Sequence, residues 1–291
     1  MEPRLIADYA CHTGEGPLWD PDKQRVYWTD IPNGRIFRYT PATGVHEICY
    51  EGEQVGGMTL QDDGALLLFM ERGAIKIWDE CRLTTVIEDI AEERDSRFND
   101  VIADPMGRVF CGTMPTPDTP GRLYRLETDG TIQVVLEGIG CSNGMGFTPD
   151  RRQMYFTDSA KQEIYLFDYA EESGALTNQR VFVRTEDNGG WPDGMTVDAD
   201  GNVWSTRWDG GCVVQYSPDG EELRRVAFPA KKVSCVTFGG PNYTDMYVTT
   251  AGGYAKDTDG ELAGSLLHID LGVRGVPEFR SRVRLDSQPT P

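Results

Sequence analysis

This chain lacks the signatures of several common enzyme classes. It has only three histidines, His12, His46 and His268, and none stands in an HExxH or a Cys/His metal spacing. That excludes a zinc protease of the HExxH type and leaves the three imidazoles as structural or surface groups. No GxSxG segment occurs, so the nucleophile elbow of an α/β-hydrolase is missing. The Gly-Gly pairs at 56–57, 189–190, 210–211 and 252–253 lack the strand-to-helix context of a phosphate loop. VDADGN at 197–202 is a hairpin turn, since Gly201 comes too early for an EF-hand and no Glu closes the loop.

No stretch approaches the about 20 apolar residues of a membrane span. The opening MEPRLIADYACHTGEG has no apolar run of signal-peptide length. Paired cysteines are missing too. Cys11, Cys49, Cys81, Cys111, Cys141, Cys212 and Cys235 are scattered, with no CxxC. That pattern reads as reduced thiols rather than a disulfide framework, so a cytoplasmic protein is expected.

Positive charge is scarce. Lys and Arg number 28 against 47 Asp and Glu, for a net charge of −19. Such a balance is a poor match to nucleic acid or an anionic membrane, and neither is expected as a partner. Most of these acids are expected to form a solvated surface. Any that converge would suit a cation.

What the chain does have is glycine, 33 residues of it, and a phrase that returns six times. A small residue leads three mostly apolar residues, a turn with Pro, Asp or Gly, and a β-rich run. The copies start at Gly16, Gly57, Asp100, Gly144, Gly194 and Cys235, spaced 41, 43, 44, 50 and 41 residues apart. Each reads as strand, turn, strand, followed by a further alternating run such as GRIFRYTP or GRLYRLET. A period of about 40–50 residues with several short strands marks propeller blades. Helical patterns with caps, which a TIM barrel or doubly wound fold needs between strands, are not found. The expectation is an all-β, six-bladed β-propeller forming a single domain over 1–291. Leu5–Tyr9 is expected to supply the outer strand of the last blade.

In a propeller, equivalent positions face one axis. The residues just before the repeat starts are Glu15, Gly56, Asn99, Asn143, Asp193 and Ser234, and the start itself adds Asp100. Asn and Asp are common in turns for backbone reasons alone. Four oxygen donors at one phase, from four blades, point instead to a divalent metal at the channel mouth. Glu15 weighs most, because Glu has no special turn chemistry. Converging carboxylates without a cation would repel one another. An oxygen-only set does not select sharply among calcium, zinc, manganese, magnesium and iron(II). Arg97, two residues before Asn99, is a candidate for gripping an anionic or hydroxyl-rich substrate. Arg207 is a weaker candidate of that kind. Trp191, Trp204 and Trp208 read as blade packing, with Trp191 close enough to Asp193 to wall the pocket.

GEGPLW at 14–19, RFND at 97–100, GTM at 112–114, SNG at 142–144 and PDGM at 192–195 together resemble the regucalcin (senescence marker protein)/gluconolactonase family. FGGPNYTDMYVTT at 238–250 and LGVRG at 271–275 look like it as well. The resemblance implies a six-bladed propeller that opens sugar lactones with one divalent metal. By matching position, Glu15, Asn143 and Asp193 would be the metal ligands. Asn99 and Asp100 would contact the substrate or a water on the metal, and Arg97 the sugar chain or its carboxylate. One departure is the short, Pro-rich PTPDTPG after GTM, where some relatives carry an acidic covering loop.

The expected activity is therefore a divalent-metal-dependent lactonase. It converts an aldono- or aldarolactone to the sugar acid, with Asp193 as catalytic base, in a monomer or weak homo-oligomer. Two alternatives share the same residues: a calcium-binding regulatory protein, and a hydrolase of small esters or phosphotriesters at the same metal.

Overall fold

The computed structural model describes residues 2–185 and 189–284. Its strands form six four-stranded antiparallel sheets. Blade 1 runs Gly14–Asp20, Arg25–Asp30, Arg35–Thr40 and Val45–Glu51, and blade 2 Val55–Leu60, Leu66–Met70, Ile75–Trp78 and Leu83–Ile87. Blade 3 runs Phe98–Ala103, Val109–Thr113, Gly121–Leu126 and Ile132–Ile139, and blade 4 Ser142–Phe147, Gln153–Asp158, Glu163–Ala170 and Ala175–Arg184. Blade 5 runs Trp191–Val197, Val203–Trp208, Cys212–Tyr216 and Glu222–Ala227. Blade 6 has Val233–Gly239, Asp245–Thr250 and Ser265–Asp270, and Arg4–Asp8 from the start of the chain pairs outside them. The first strand of each blade packs on those of both neighbouring blades, so the six close a ring. This is a six-bladed β-propeller, and the expected closure by residues near Leu5–Tyr9 is the one observed.

Among the described residues there is no single central apolar core. Six clusters lie between successive blades instead. Tyr27 and Ile36 of blade 1 meet Met58 and Leu68 of blade 2, for example, and Trp204 of blade 5 meets Phe238 of blade 6. The last wedge joins Ala7, Tyr247 and Leu266 to Trp19, Val26 and Trp28, so the closing strand is packed as well as paired. Burying aromatic and branched residues on both faces of a middle strand is what lets sheets stack around an axis.

After Asp270 the chain leaves the blades and crosses the end of the channel opposite the ring of acids. Gly275 bridges Asp198 of blade 5 and donates its amide to the Tyr243 carbonyl of blade 6. Phe279 packs on Phe147 of blade 4, and Arg280 pairs with Asp22 of blade 1. Ser281 bonds to Leu60 and Asp62 of blade 2, and Arg282 donates its amide to Gly107 of blade 3. This strap touches all six blades. No helix among the described residues is long and apolar enough to cross a membrane.

Candidate metal centre

Each innermost strand slips register against its neighbour at the same point. The breaks lie between Glu15 and Leu18, Val55 and Gly57, Phe98 and Val101, Ser142 and Met145, Pro192 and Met195, and Val233 and Cys235. Across each break the inner strand carries one residue more than its partner. Such a bulge frees a residue from the ladder and re-aims its side chain. Asn99, Asn143 and Asp193 stand inside these bulges and Glu15 at the edge of one, so the repeat phase read in the sequence is the phase of the bulge. Gly57, Gly144 and Gly194, which follow, are a matter of space. A Cβ on Gly144 would lie 2.5 Å from the Met195 amide nitrogen, and one on Gly194 2.3 Å from Cys235 Sγ.

Glu15, Asn99, Asn143 and Asp193 are all buried and converge on one cavity of about 280 Å3 at the channel mouth. Arg97, Met114, Trp191 and Trp208 wall it. Trp191, 52% exposed, stands at the rim, as its place near Asp193 suggested.

A chain of hydrogen bonds orients the amides. Arg97 Nη1 donates to Asn99 Oδ1 at 2.7 Å and to the Phe98 carbonyl at 2.9 Å. Asn99 Nδ2 donates to Asn143 Oδ1 at 2.7 Å and to the Ser142 carbonyl at 2.8 Å. Asn143 Nδ2 donates to Ser159 Oγ at 2.7 Å. Ser159 gives its own proton to the Pro192 carbonyl, so its oxygen must accept from Asn143. That fixes the Asn143 amide with its oxygen toward the ring. Both protons of Asn99 Nδ2 are used, which leaves Asn99 with acceptor capacity only. Nothing in the repeat pattern singled out Ser159, which follows the second strand of blade 4 in a short turn. Its signal is the polar SA after YFTD, where blade 1 has IP after YWTD.

The carboxylates have almost no protein partners. Glu15 accepts only from the Gly16 amide, at 3.1 Å, and neither Asp193 nor Asp100 accepts any hydrogen bond among the described residues. Burial lifts the Glu15 carboxyl well above the usual range, and Asp193 and then Asp100 push it further. Burial does the same to Asp193, with Asp100 adding to it and Arg97 and Arg207 opposing. Asp100 is pushed up to about 7 by burial, against the pull of Arg97. Burial in turn draws the Arg97 guanidinium below its ordinary value, with Glu15 the strongest of the acids that hold it charged.

Two residues stand elsewhere than the sequence placed them. Asp100 does not line the mouth cavity. It lines the channel beneath the ring, with Cys235 and Met195. Arg207 is 1% exposed and points into blade 5, where it donates to Ser205 Oγ, the Thr206 carbonyl and Tyr216 Oη. It can act on the site only through its charge. After Met114, the PTPDTPG segment closes on itself through Thr116 and Thr119 and adds nothing to the cavity wall.

Residues 13–252 match the model of the SMP-30/Gluconolactonase/LRE-like region. The chain belongs to this family. Pentonolactonase XacC of Haloferax volcanii is a 49% identical relative over 290 residues, 96% of this chain and 98% of its own. Regucalcin of Oryctolagus cuniculus is 30% identical over 285 residues, 92% of this chain and 94% of its own. Among solved structures, the calcium-binding protein regucalcin of Agrobacterium tumefaciens superposes with a TM-score of 0.89 at 24% identity, over 97% of each chain, and so shares the fold. The family match spans GEGPLW, RFND, GTM, SNG and PDGM, the segments that build the mouth.

Proposed function

We propose that this chain, as a single propeller domain, hydrolyses an aldono- or aldarolactone to the sugar acid with one divalent ion. One observation carries the reading: Glu15 and Asp193 are buried at the floor of an open cavity with next to no protein donors. Carboxylates so placed repel one another unless a cation joins them. Glu15, Asn143 and Asp193 offer only oxygen, which fits calcium, magnesium, manganese, zinc or iron(II). An ion held there would act as a Lewis acid on the lactone carbonyl and offset the charge that develops on its oxygen.

The chain's own groups do the rest. Asp193 accepts a proton from the attacking water and returns it to the ring oxygen as the C–O bond opens. Asn99 presents an acceptor to a substrate hydroxyl. Arg97, already anchored to Asn99 and the backbone, turns its remaining N–H groups to the sugar's distal oxygens. The cavity is at the small end for ligand sites, which suits a single sugar ring. Trp191 offers that ring an apolar wall. The similarity to a pentonolactonase puts five-carbon lactones first in the panel. The seven free cysteines support a cytoplasmic setting.

The test is turnover of a panel of pentono-, hexono- and aldarolactones by the metal-loaded protein. The expected result is ring opening that a chelator abolishes and added ion restores. No turnover above the spontaneous rate on any lactone overturns the proposal. Tight calcium binding in that inactive protein would support the calcium-binding regulatory alternative instead.

A further inference from the structure

The position one step after the ring residues is Gly16, Gly57, Asp100, Gly144, Gly194 and Cys235 around the six blades. Four are glycine, packed so closely that a Cβ on three of them would strike a neighbouring strand. Only blades 3 and 6, on opposite sides of the axis, place a side chain there, and both side chains are metal-ligand types. They meet across the channel. An oxygen of Asp100, Cys235 Sγ and an oxygen of Glu15 all lie within 4.8 Å of one another.

A second observation bears on a ligand. Asp100 is only 8% exposed and has no hydrogen-bond partner among the described residues, and its carboxyl faces a cavity of about 50 Å3 beneath the ring. That volume holds an ion or a few atoms, not a sugar. Glu278 and Phe279 of the strap line the same cavity.

We propose that Asp100, Cys235 and Glu15 form a second divalent-cation position below the ring, with Glu15 shared between the two tiers. The thiol gives it a different preference. Oxygen ligands suit hard ions, whereas a thiolate with two carboxylates selects thiophilic ones such as zinc, cobalt(II) or cadmium. Tetrahedral ligands at about 2.0–2.3 Å from zinc stand about 3.5 Å apart, so the three groups, all within 4.8 Å, need to draw together by no more than about 1.3 Å. Binding converts the Cys235 thiol to thiolate and releases its proton to solvent. The inference goes beyond the lactonase reading, and the ring can hold its own ion without it.

The experiment is titration of the full chain, in a Cys81→Ser background that removes the exposed thiol, with cobalt(II) chloride. Thiolate-to-metal charge-transfer absorption and bound cobalt per chain are read together. Two ions per chain are expected, one of them accompanied by the absorption band. Cys235→Ala removes the band and takes the stoichiometry from two to one, whereas Cys141→Ala, at the mouth, leaves both. Asp100→Asn, nearly identical in shape, weakens the band-forming event at least tenfold and guards against a folding defect in Cys235→Ala. Asp193→Asn loses the other ion and keeps the band, so failure at the ring is told apart from failure below it. No charge-transfer band in the parent protein, or a band that survives Cys235→Ala, overturns the proposal, whereas a single ion that brings the band places the failure at the ring.

Discussion

Two aspartates five residues apart in blade 5 show how the two ends of the channel differ. Asp198, at the end away from the ring, is fully buried and saturated. It accepts from the amides of Asp200 and Asn202, from the Asn202 side chain, from Trp204 Nε1 at 2.9 Å and from Gln215 Nε2 at 3.2 Å. Asp193, at the mouth, accepts nothing from the described residues. Blade 3 repeats the contrast. Asp104 accepts from the amides of Met106 and Arg108, from the Arg108 guanidinium at 2.6 Å and from Tyr169 Oη at 2.8 Å, while Asp100 accepts from none of the described residues. The same residue type builds hairpins at one end and waits for a partner from outside at the other. A buried carboxylate that the fold satisfies is architecture. One that the fold leaves unpaired costs stability and marks where a ligand belongs.

That contrast can be broken from either end. Asp193→Asn removes the proposed base and a ligand, so kcat/KM on the best lactone should fall by about 10^2–10^4-fold while the melting temperature of the metal-free protein holds or rises. Asp198→Ala should do the reverse. It strands several buried donors at about 1–3 kcal/mol each, giving a loss of about 3 kcal/mol or more in urea unfolding, with turnover per folded molecule kept. Equal stability losses in the two variants would erase the distinction. Ser159→Ala releases the Asn143 amide while leaving all three proposed ligands in the chain. It should weaken metal binding by about 10–100-fold, as loss of an orienting partner does, and calorimetric titration would measure it.

A further effect is in pH. A carboxyl whose folded pKa lies above its unfolded value stabilises the fold when protonated and loses that contribution as pH rises. For Asp100 the window runs from an ordinary carboxyl value of about 3.9 up to about 7. Metal-free protein should therefore lose part of its melting temperature between these pH values, and Asp100→Asn should flatten that slope. A slope unchanged in the variant would mean that other acids set it.

Much of this was legible in the sequence because a propeller writes its geometry as a period. The repeat spacing yields the blades, and the residue before each start yields Glu15, Asn99, Asn143 and Asp193, since one bulge recurs in all six inner strands. What stayed hidden is what does not repeat. Ser159 occupies a turn that only blade 4 uses this way. The strap from Gly275 to Arg282 has no alternation, because its partners come from six different blades. Asp100 was added as a repeat start, and its place at the substrate came from the resemblance carried by RFND at 97–100. A bulge turns adjacent residues to different levels of the channel, and sequence phase alone cannot tell up from down. Arg207, at the end of the run NVWSTR, was a weaker candidate for the substrate side, but it folds back onto Ser205 and Tyr216 and is buried by its own blade.

The pairing of Arg4–Asp8 with Ser265–Asp270 also bears on how the molecule comes into being. Five blades are local: each zips from neighbouring hairpins as soon as its own stretch of chain exists. The sixth joins segments from opposite ends of the polypeptide, and such a contact forms late. Until it does, the circle stays an arc with bare edges, and the mouth, which draws on blades 1, 3, 4 and 5, has no fixed diameter. Ion capture should thus begin only when the circle closes, which makes the Arg4–Asp8 strand the latch on the last assembled function.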